Sequence, residues 1–248
     1  MKTEKLKFLD RDGLKILAMV LMLLDHLWAT VVPGNNWMTY LGRLAFPIFA
    51  FQAAEGYHHT SSFRKYALRL LIWGLISEIP FNLMYSGRFL NPFHQNVLFT
   101  LLLGLLLYHG AERFVRAVSG RLWKTAVVAV LQILGCLLGG IIGFADYGLT
   151  GVLVTAMFCC FPRWKYVNLF RIVCLILLLE VFFKGEILLV PAFGTVFEIG
   201  KEALGIFAMI PILLYSGKKG RGGKVMQYIG YGFYPVHMLI LHLIRYFM

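Results

Sequence analysis

Runs of about 20 predominantly apolar residues recur from one end of the chain to the other, each long enough to cross roughly 30 Å of hydrocarbon. No other feature restricts the fold so tightly. A backbone in lipid has no water to bond with, and a run of this length satisfies its own N–H and C=O groups only as an α-helix. With 59% hydrophobic residues and a mean hydropathy of +0.74, the chain has too little polar surface to cover a water-facing globule. The expectation is an all-α, polytopic integral membrane protein.

The hydropathy pattern predicts about nine transmembrane helices, near residues 13–32, 37–57, 66–85, 96–112, 122–144, 146–161, 167–183, 202–215 and 225–247. Around Pro191 and Gly194 the pattern is interrupted, so a broken or re-entrant segment is expected near 186–200. Basic residues fall in clusters between the runs. They are the lead (Lys2, Lys5, Lys7, Arg11, Lys15), the links at Arg64–Lys65, Arg113–Lys124 (with Arg116 and Arg121) and Arg163, and the loop from Lys218 to Lys224. Nine crossings with the N-terminus inside put all of them on the cytoplasmic side, whereas ten would send the Lys218 loop outside, against the usual bias. The expected location is the cell membrane, multi-pass, with a cytoplasmic N-terminus. The first run has no small-residue cleavage pattern after it and is expected to remain as a helix. No internal repeat or low-complexity linker divides the chain, so 1–248 reads as a single domain.

The net charge of +12 is clustered rather than striped, which is not the footprint of a nucleic-acid binder. Cys136, Cys159, Cys160 and Cys174 lie inside apolar stretches without metal-ligand spacing or a disulfide framework. They read as packing residues, and no metal is expected.

Against this background the intramembrane polar residues stand out, because an ionisable group at the bilayer centre costs about 2.5–3.5 kcal/mol on insertion scales. They are Asp25, His26, Arg43, Glu55, Glu78, Asn82, Asn96, Thr100 and His237, with Asp146 and Tyr147 opening a further helix. In the orientation above, Asp25, His26, Arg43, Glu78, Asn82, Asn96, Asp146 and Tyr147 share the outer half of the membrane. Glu78 and Asn82, Asn96 and Thr100, and Tyr234 and His237 stand three or four residues apart, so each pair occupies one helix face. Two readings stay open. The groups line a polar cavity with a function, or they tie helices together: Arg43 by an ion pair to Glu78 or Asp146, and His26 or His237 by an interhelical hydrogen bond.

These residues come in a recognisable order. Gly13-Leu14-Lys15-Ile16-Leu17-Ala18-Met19 leading to Asp25-His26 resembles the first helix of TraX family proteins. Leu41-Gly42-Arg43-Leu44-Ala45-Phe46-Pro47-Ile48-Phe49 with Glu55-Gly56 resembles their second. Ser77-Glu78-Ile79-Pro80-Phe81-Asn82, Asn96-Val97-Leu98-Phe99-Thr100, Asp146-Tyr147-Gly148, Tyr215-Ser216-Gly217-Lys218-Lys219-Gly220 and Phe233-Tyr234-Pro235-Val236-His237 continue the match. TraX proteins are named for acetylating the N-terminus of conjugative pilin and are similar to the broader acyltransferase family 3. There, a first-helix His is implicated in acyl transfer from a coenzyme A thioester. The resemblance implies a transmembrane acyltransferase using cytoplasmic acetyl-CoA. It would act on an amine or hydroxyl presented at the outer side, such as a peptide N-terminus, a sugar or a small molecule.

For such chemistry His26 is the expected base, since imidazole accepts a proton near neutral pH. Asp25, adjacent on a helix, points about 100° away, so Glu78 or Asp146 is the expected partner of the His26 ring. Arg43, Asn96 and Tyr147 are expected to donate to the oxyanion or hold substrate, with His237 in the same set. Lys218, Lys219, Arg221 and Lys224, or Arg64 and Lys65, are candidates for the coenzyme A phosphates, unless they serve topology alone. Two rivals remain: a proton- or ion-coupled transporter, identified by flux without an acyl donor, and a non-catalytic scaffold of a conjugation or secretion system, identified by copurifying partners.

Overall fold

The structure, a computed structural model, describes residues 7–120, 122–142, 145–162, 164–182, 184–192 and 195–248. Lys2, Lys5, Arg121, Arg163 and Gly194, assigned above to basic clusters or to the broken segment, lie outside the described residues, as do the expected helix ends Phe144 and Phe183. The chain separates into two compact units, one made of residues up to Gln52 with Lys165–Met248, the other of Ala53–Trp164.

In the first unit α1 spans Arg11–Thr30. Asp10 caps it by accepting the Gly13 N–H at 2.7 Å, satisfying one of the donors a helix start leaves unpaired. The helix expected over 37–57 is instead two helices, α2 (Asn36–Gly42) and α3 (Ala45–His59), the latter running on past Gln52. The break falls at Arg43 and Leu44, and Pro47 lies in the first turn of α3, where its missing N–H forfeits no helical bond. α2 packs directly on α1; a Cβ on Gly42 would collide with the Asp25 side chain. That close approach needs glycine.

Downstream, α8 (Val167–Ile176) widens into a π-helical stretch, Leu177–Phe182. Residues 186–216 then depart from the expected broken segment and helix. They form an antiparallel hairpin of β1 (Ile187–Ala192) and β2 (Thr195–Gly200), a 3₁₀ stretch Lys201–Ala208, and the short α9 (Met209–Leu213). The alternating Val, Thr, Ile and Phe of Thr195–Ile199 suit a strand better than a helix, and Pro191 sits on a two-stranded ribbon, where every strand is an edge. The final helix, α10 (Gly223–Phe247), packs along α1. The chain start is tied to the end of α9, Leu9 N–H donating to Leu214 O at 3.1 Å and Ser216 N–H to Leu9 O at 2.8 Å.

The second unit contains α4 (Phe63–Ser86), α5 (Val97–Ser119), α6 (Trp123–Ile142) and α7 (Gly148–Cys159). α4 is the clearest sign of the solvent this fold meets. Its buried positions are Tyr66, Leu70, Gly74, Ser77, Phe81, Asn82 and Met84, and apart from Asn82 they follow a four–four–three–four–three spacing, one helix face. The opposite face exposes Leu68, Leu71, Ile72, Leu75, Ile76 and Ile79. A helix that turns aliphatic chains outward and a serine inward is built for lipid rather than water. α5 packs against α6 and α7; a Cβ on Gly104 would lie 2.7 Å from the Val152 carbonyl oxygen, so glycine lets α5 and α7 touch. Among the described residues four helices are long and apolar enough to cross a membrane: α1, α4, α5 and α6.

Candidate functional site

α1 and α10 bring two histidines together. His26 Nδ1 and His237 Nε2 are 2.7 Å apart, with 6° between the ring planes. Both residues are buried. His237 Nδ1 lies 2.7 Å from the Phe233 carbonyl oxygen one turn back, and Phe233 stacks on its ring at 4.7 Å between centroids.

This chain of contacts fixes both neutral tautomers. A carbonyl oxygen only accepts, so the hydrogen on His237 is on Nδ1, and its Nε2 carries the lone pair. Nε2 therefore accepts from His26, whose hydrogen is on Nδ1. The basic nitrogen of His26 is then Nε2. Sequence spacing favoured Glu78 or Asp146 as the partner of this ring; the partner is His237.

Asp25 follows the helical rotation expected of it and turns to α2 instead of the His26 ring. Its Oδ1 accepts from Thr39 Oγ1 at 2.7 Å, and its Oδ2 pairs with Arg43. The other arm of Arg43 reaches Glu202 Oε1 at 2.9 Å. The ion pair expected between Arg43 and Glu78 or Asp146 is replaced by this bridge from Asp25 to Glu202. The Arg43 and Asp25 side chains are only 16% and 10% exposed, so each charge depends on the other to offset its desolvation. Sequence reasoning missed Thr39 and Glu202. Thr39 had a weak signal, one helical turn before Arg43; Glu202, 159 residues away, had none. Beside Glu202, the buried Lys201 places its ammonium 4.3 Å from the Trp28 ring and 2.9 Å from Glu186 Oε2.

The remaining candidates belong to the second unit. Asn96 caps α5, accepting the Leu98 N–H at 3.1 Å. Its amide nitrogen donates to Gly74 O at 2.9 Å and to Glu78 Oε2 at 2.5 Å, which commits both hydrogens. Asn96 thus joins α4 to α5. Asp146 N–H donates to Gln95 O at 2.8 Å, Thr100 donates to the Asp146 carbonyl, and the Asp146 carboxylate lies 3.6 Å from His94 Nε2. This contact raises the His94 pKa above the ordinary imidazole value, with partial burial pulling the other way. Tyr147 has φ of 65°, a left-handed conformation costing roughly 1–2 kcal/mol in a non-glycine residue, and precedes Gly148, φ 48°. The strain lets the chain turn straight from Asp146 into α7.

The two basic groups lie in different units. Lys218, Lys219 and Arg221 are exposed on a loop, and Lys224 in the first turn of α10; the loop is tied to the start of α1, Arg11 N–H donating to Lys218 O at 3.0 Å and Gly222 N–H to Asp12 Oδ2 at 2.8 Å. That loop suits an anion by its side-chain charges, since Asp12 already occupies the Gly222 N–H. Arg64 and Lys65 are exposed in the first turn of α4. Among the described residues no group of three or more His, Cys, Asp or Glu could hold a metal ion.

A family model described as TraX protein matches residues 10–245. The chain is 28% identical over 246 residues to a probable fimbrial assembly protein FimC, serogroup H1, of Dichelobacter nodosus, covering 92% of each chain. It is 31% identical over 150 residues to protein TraX of Escherichia coli, covering 60% of this chain and 54% of that protein. No solved structure matches significantly.

Proposed function

This chain belongs to the TraX protein family, and from that membership we propose that it is a membrane-embedded acetyltransferase with His26 as its general base. The observation that carries the reading is the hydrogen-bonded series from His26 through His237 to the Phe233 carbonyl. It holds one imidazole, inside a predominantly apolar helix, in a single tautomer with Nε2 as the base.

Acyl transfer to an amine needs a proton acceptor, a stabiliser for the tetrahedral oxyanion and a site sheltered from water. His26 Nε2 takes the proton as the acceptor nitrogen bonds to the thioester carbonyl carbon. Collapse of the tetrahedral species breaks the carbon–sulfur bond, and the protonated imidazole returns its proton to the departing thiolate. Arg43 supplies positive charge beside this centre, held in place by Asp25 and Glu202. Glu78, Asn96, Asp146 and Tyr147, in the second unit, are the further candidate residues of what we read as a single acyltransferase-like domain with about nine crossings.

Acetyl-CoA is the donor substrate in this reading. Lys218, Lys219, Arg221 and Lys224, or alternatively Arg64 and Lys65, meet its phosphates from the cytoplasmic side, and the N-terminus is cytoplasmic as well. The acceptor is the amine or hydroxyl of a molecule at the outer face. The name of the Dichelobacter relative and the meaning of the TraX name both favour a pilin-type peptide N-terminus.

The deciding experiment follows radiolabelled acetyl from acetyl-CoA to an acceptor peptide in vesicles. His26→Ala abolishes transfer while leaving the protein folded. Normal turnover in that variant removes His26 from the mechanism.

A further inference from the structure

The second unit holds another hydrogen-bonded series of titratable groups, at the opposite end of α5 from Asn96. Tyr57, near the end of α3, donates its hydroxyl hydrogen to Glu112 Oε2 at 2.6 Å. The same hydroxyl oxygen lies 2.9 Å from His109 Nδ1. A tyrosine hydroxyl has one hydrogen. With that hydrogen on Glu112, the contact to His109 is made by an Nδ1–H, and the His109 lone pair is on Nε2. Carboxylate, hydroxyl and imidazole form one line.

The surroundings suit proton transfer along it. Phe63 lies over the His109 ring at 4.2 Å between centroids. The rings of Phe63 and Tyr108 pack on Tyr57 at 5.1 and 5.4 Å and hold its hydroxyl in line. The outer end is wet: the Glu112 side chain is 37% exposed, with Arg116 3.9 Å away. His109 stands twelve residues along α5 from Val97, roughly 18 Å at the helical rise, so this line is distinct from the Glu78–Asn96 junction.

We propose that Glu112, Tyr57 and His109 form a second acid–base centre, a relay that passes a proton between the His109 imidazole and water. A proton arriving at His109 Nε2 makes the imidazolium. Its Nδ1–H bond breaks as a bond forms to Tyr57 Oη, and the hydroxyl hydrogen moves to Glu112 Oε2. Neutral imidazole, intact tyrosine and a carboxylic acid remain. One proton has moved, no electron has changed owner, and Glu112 exchanges its proton with water. Around this line stand Tyr108, Arg113 and Arg116 on α5, His58 on α3, and Cys159 at the end of α7 with Cys160 just beyond it, so its protonation belongs to the group as a whole. The relay does not rest on the acetyltransferase reading. That reaction would, however, give it something to carry, since acetylating an ammonium acceptor releases one proton per turnover.

The test is spectroscopic and uses the full chain in lipid nanodiscs. Nitrogen-15 NMR of labelled histidine reports His109, assigned by His109→Gln, and infrared titration reports the Glu112 carboxyl, assigned by Glu112→Gln. In the wild type, neutral His109 has its proton on Nδ1, and the imidazole and carboxyl signals each follow both steps of one coupled titration. Tyr57→Phe keeps the ring and removes the hydroxyl; each signal then follows a single step of its own, the His109 midpoint moves, and His109 shifts towards the Nε2–H tautomer. Glu112→Gln preserves an acceptor for the Tyr57 hydrogen, so the Nδ1–H tautomer stays while the His109 midpoint moves. An Nε2–H tautomer in the wild type overturns the proposal. So does a His109 midpoint that neither substitution moves, which is the behaviour of a purely structural clasp.

Discussion

Replacing His237 by phenylalanine tests the tautomer argument most directly. The ring shape is kept, so the packing against Phe233 and Tyr234 survives, but the acceptor for His26 Nδ1–H, now 2.7 Å away, is gone. Two costs follow. Leaving that buried donor unsatisfied destabilises the fold by about 1–3 kcal/mol. The larger effect is kinetic: an imidazole no longer held in one tautomer and orientation loses most of a general base's contribution, about 10²–10⁴-fold, or about 3–5 kcal/mol of barrier at about 1.4 kcal/mol per tenfold. His237→Gln is the control, because its side-chain carbonyl accepts the same hydrogen and recovers much of the rate. Acetyl transfer from labelled donor gives kcat for each variant, and nitrogen-15 NMR of His26 gives the tautomer. A His237→Phe protein with wild-type kcat, or a His237→Gln protein as slow as His237→Phe with the His26 proton still on Nδ1, would refute the reasoning.

Other expectations can be checked in the same membranes. Arg43→Met leaves the buried Asp25 carboxylate to the Thr39 hydroxyl and destabilises the fold by about 3–5 kcal/mol, whereas Glu202→Gln, at a side chain 30% exposed, costs about 1 kcal/mol or less; denaturant titration in micelles separates them. His94 has its pKa raised by Asp146, so the stability it contributes is complete below the unfolded imidazole pKa of about 6.5 and fades as pH climbs through the raised folded value. Asp146→Asn flattens thermal stability across that window. Neutralising Lys218, Lys219, Arg221 and Lys224 together weakens coenzyme A binding more than 3′-dephospho-coenzyme A binding; an equal loss for the two leaves no basis for 3′-phosphate recognition by this loop.

Much of the helix pattern was legible because length and hydropathy act locally. The first helix, read as 13–32, is Arg11–Thr30, and the last, read as 225–247, is Gly223–Phe247. The run over 37–57 misled because hydropathy averages across Arg43, while the backbone breaks there to carry the guanidinium to Asp25 and Glu202. Residues 187–200 are apolar enough to suggest a membrane segment, yet their β-branched and aromatic alternation made a hairpin. The candidate residues themselves were easy to find, since a charge inside an apolar run has an evident cost. Their partners were not. His26 meets His237 across 211 positions, and helix periodicity carries no information over such a separation. Tyr57, His109 and Glu112 were overlooked for the opposite reason: near helix ends polar residues are ordinary, and nothing local marks three of them as one line.

The hairpin also limits where lipid can touch this fold. Among the described residues its two strands pair only with each other, so each is an edge, and Leu189, Val196 and Phe197 are exposed there. Acyl chains cannot satisfy unpaired peptide groups, so the ribbon is unsuited to contact with the hydrocarbon. Lys201 and Glu202 follow it without a gap. The acid that grips Arg43 is thereby set at the end of the ribbon, and the ionic ladder from Glu202 through Arg43 to Asp25 leads from there to the neighbour of His26.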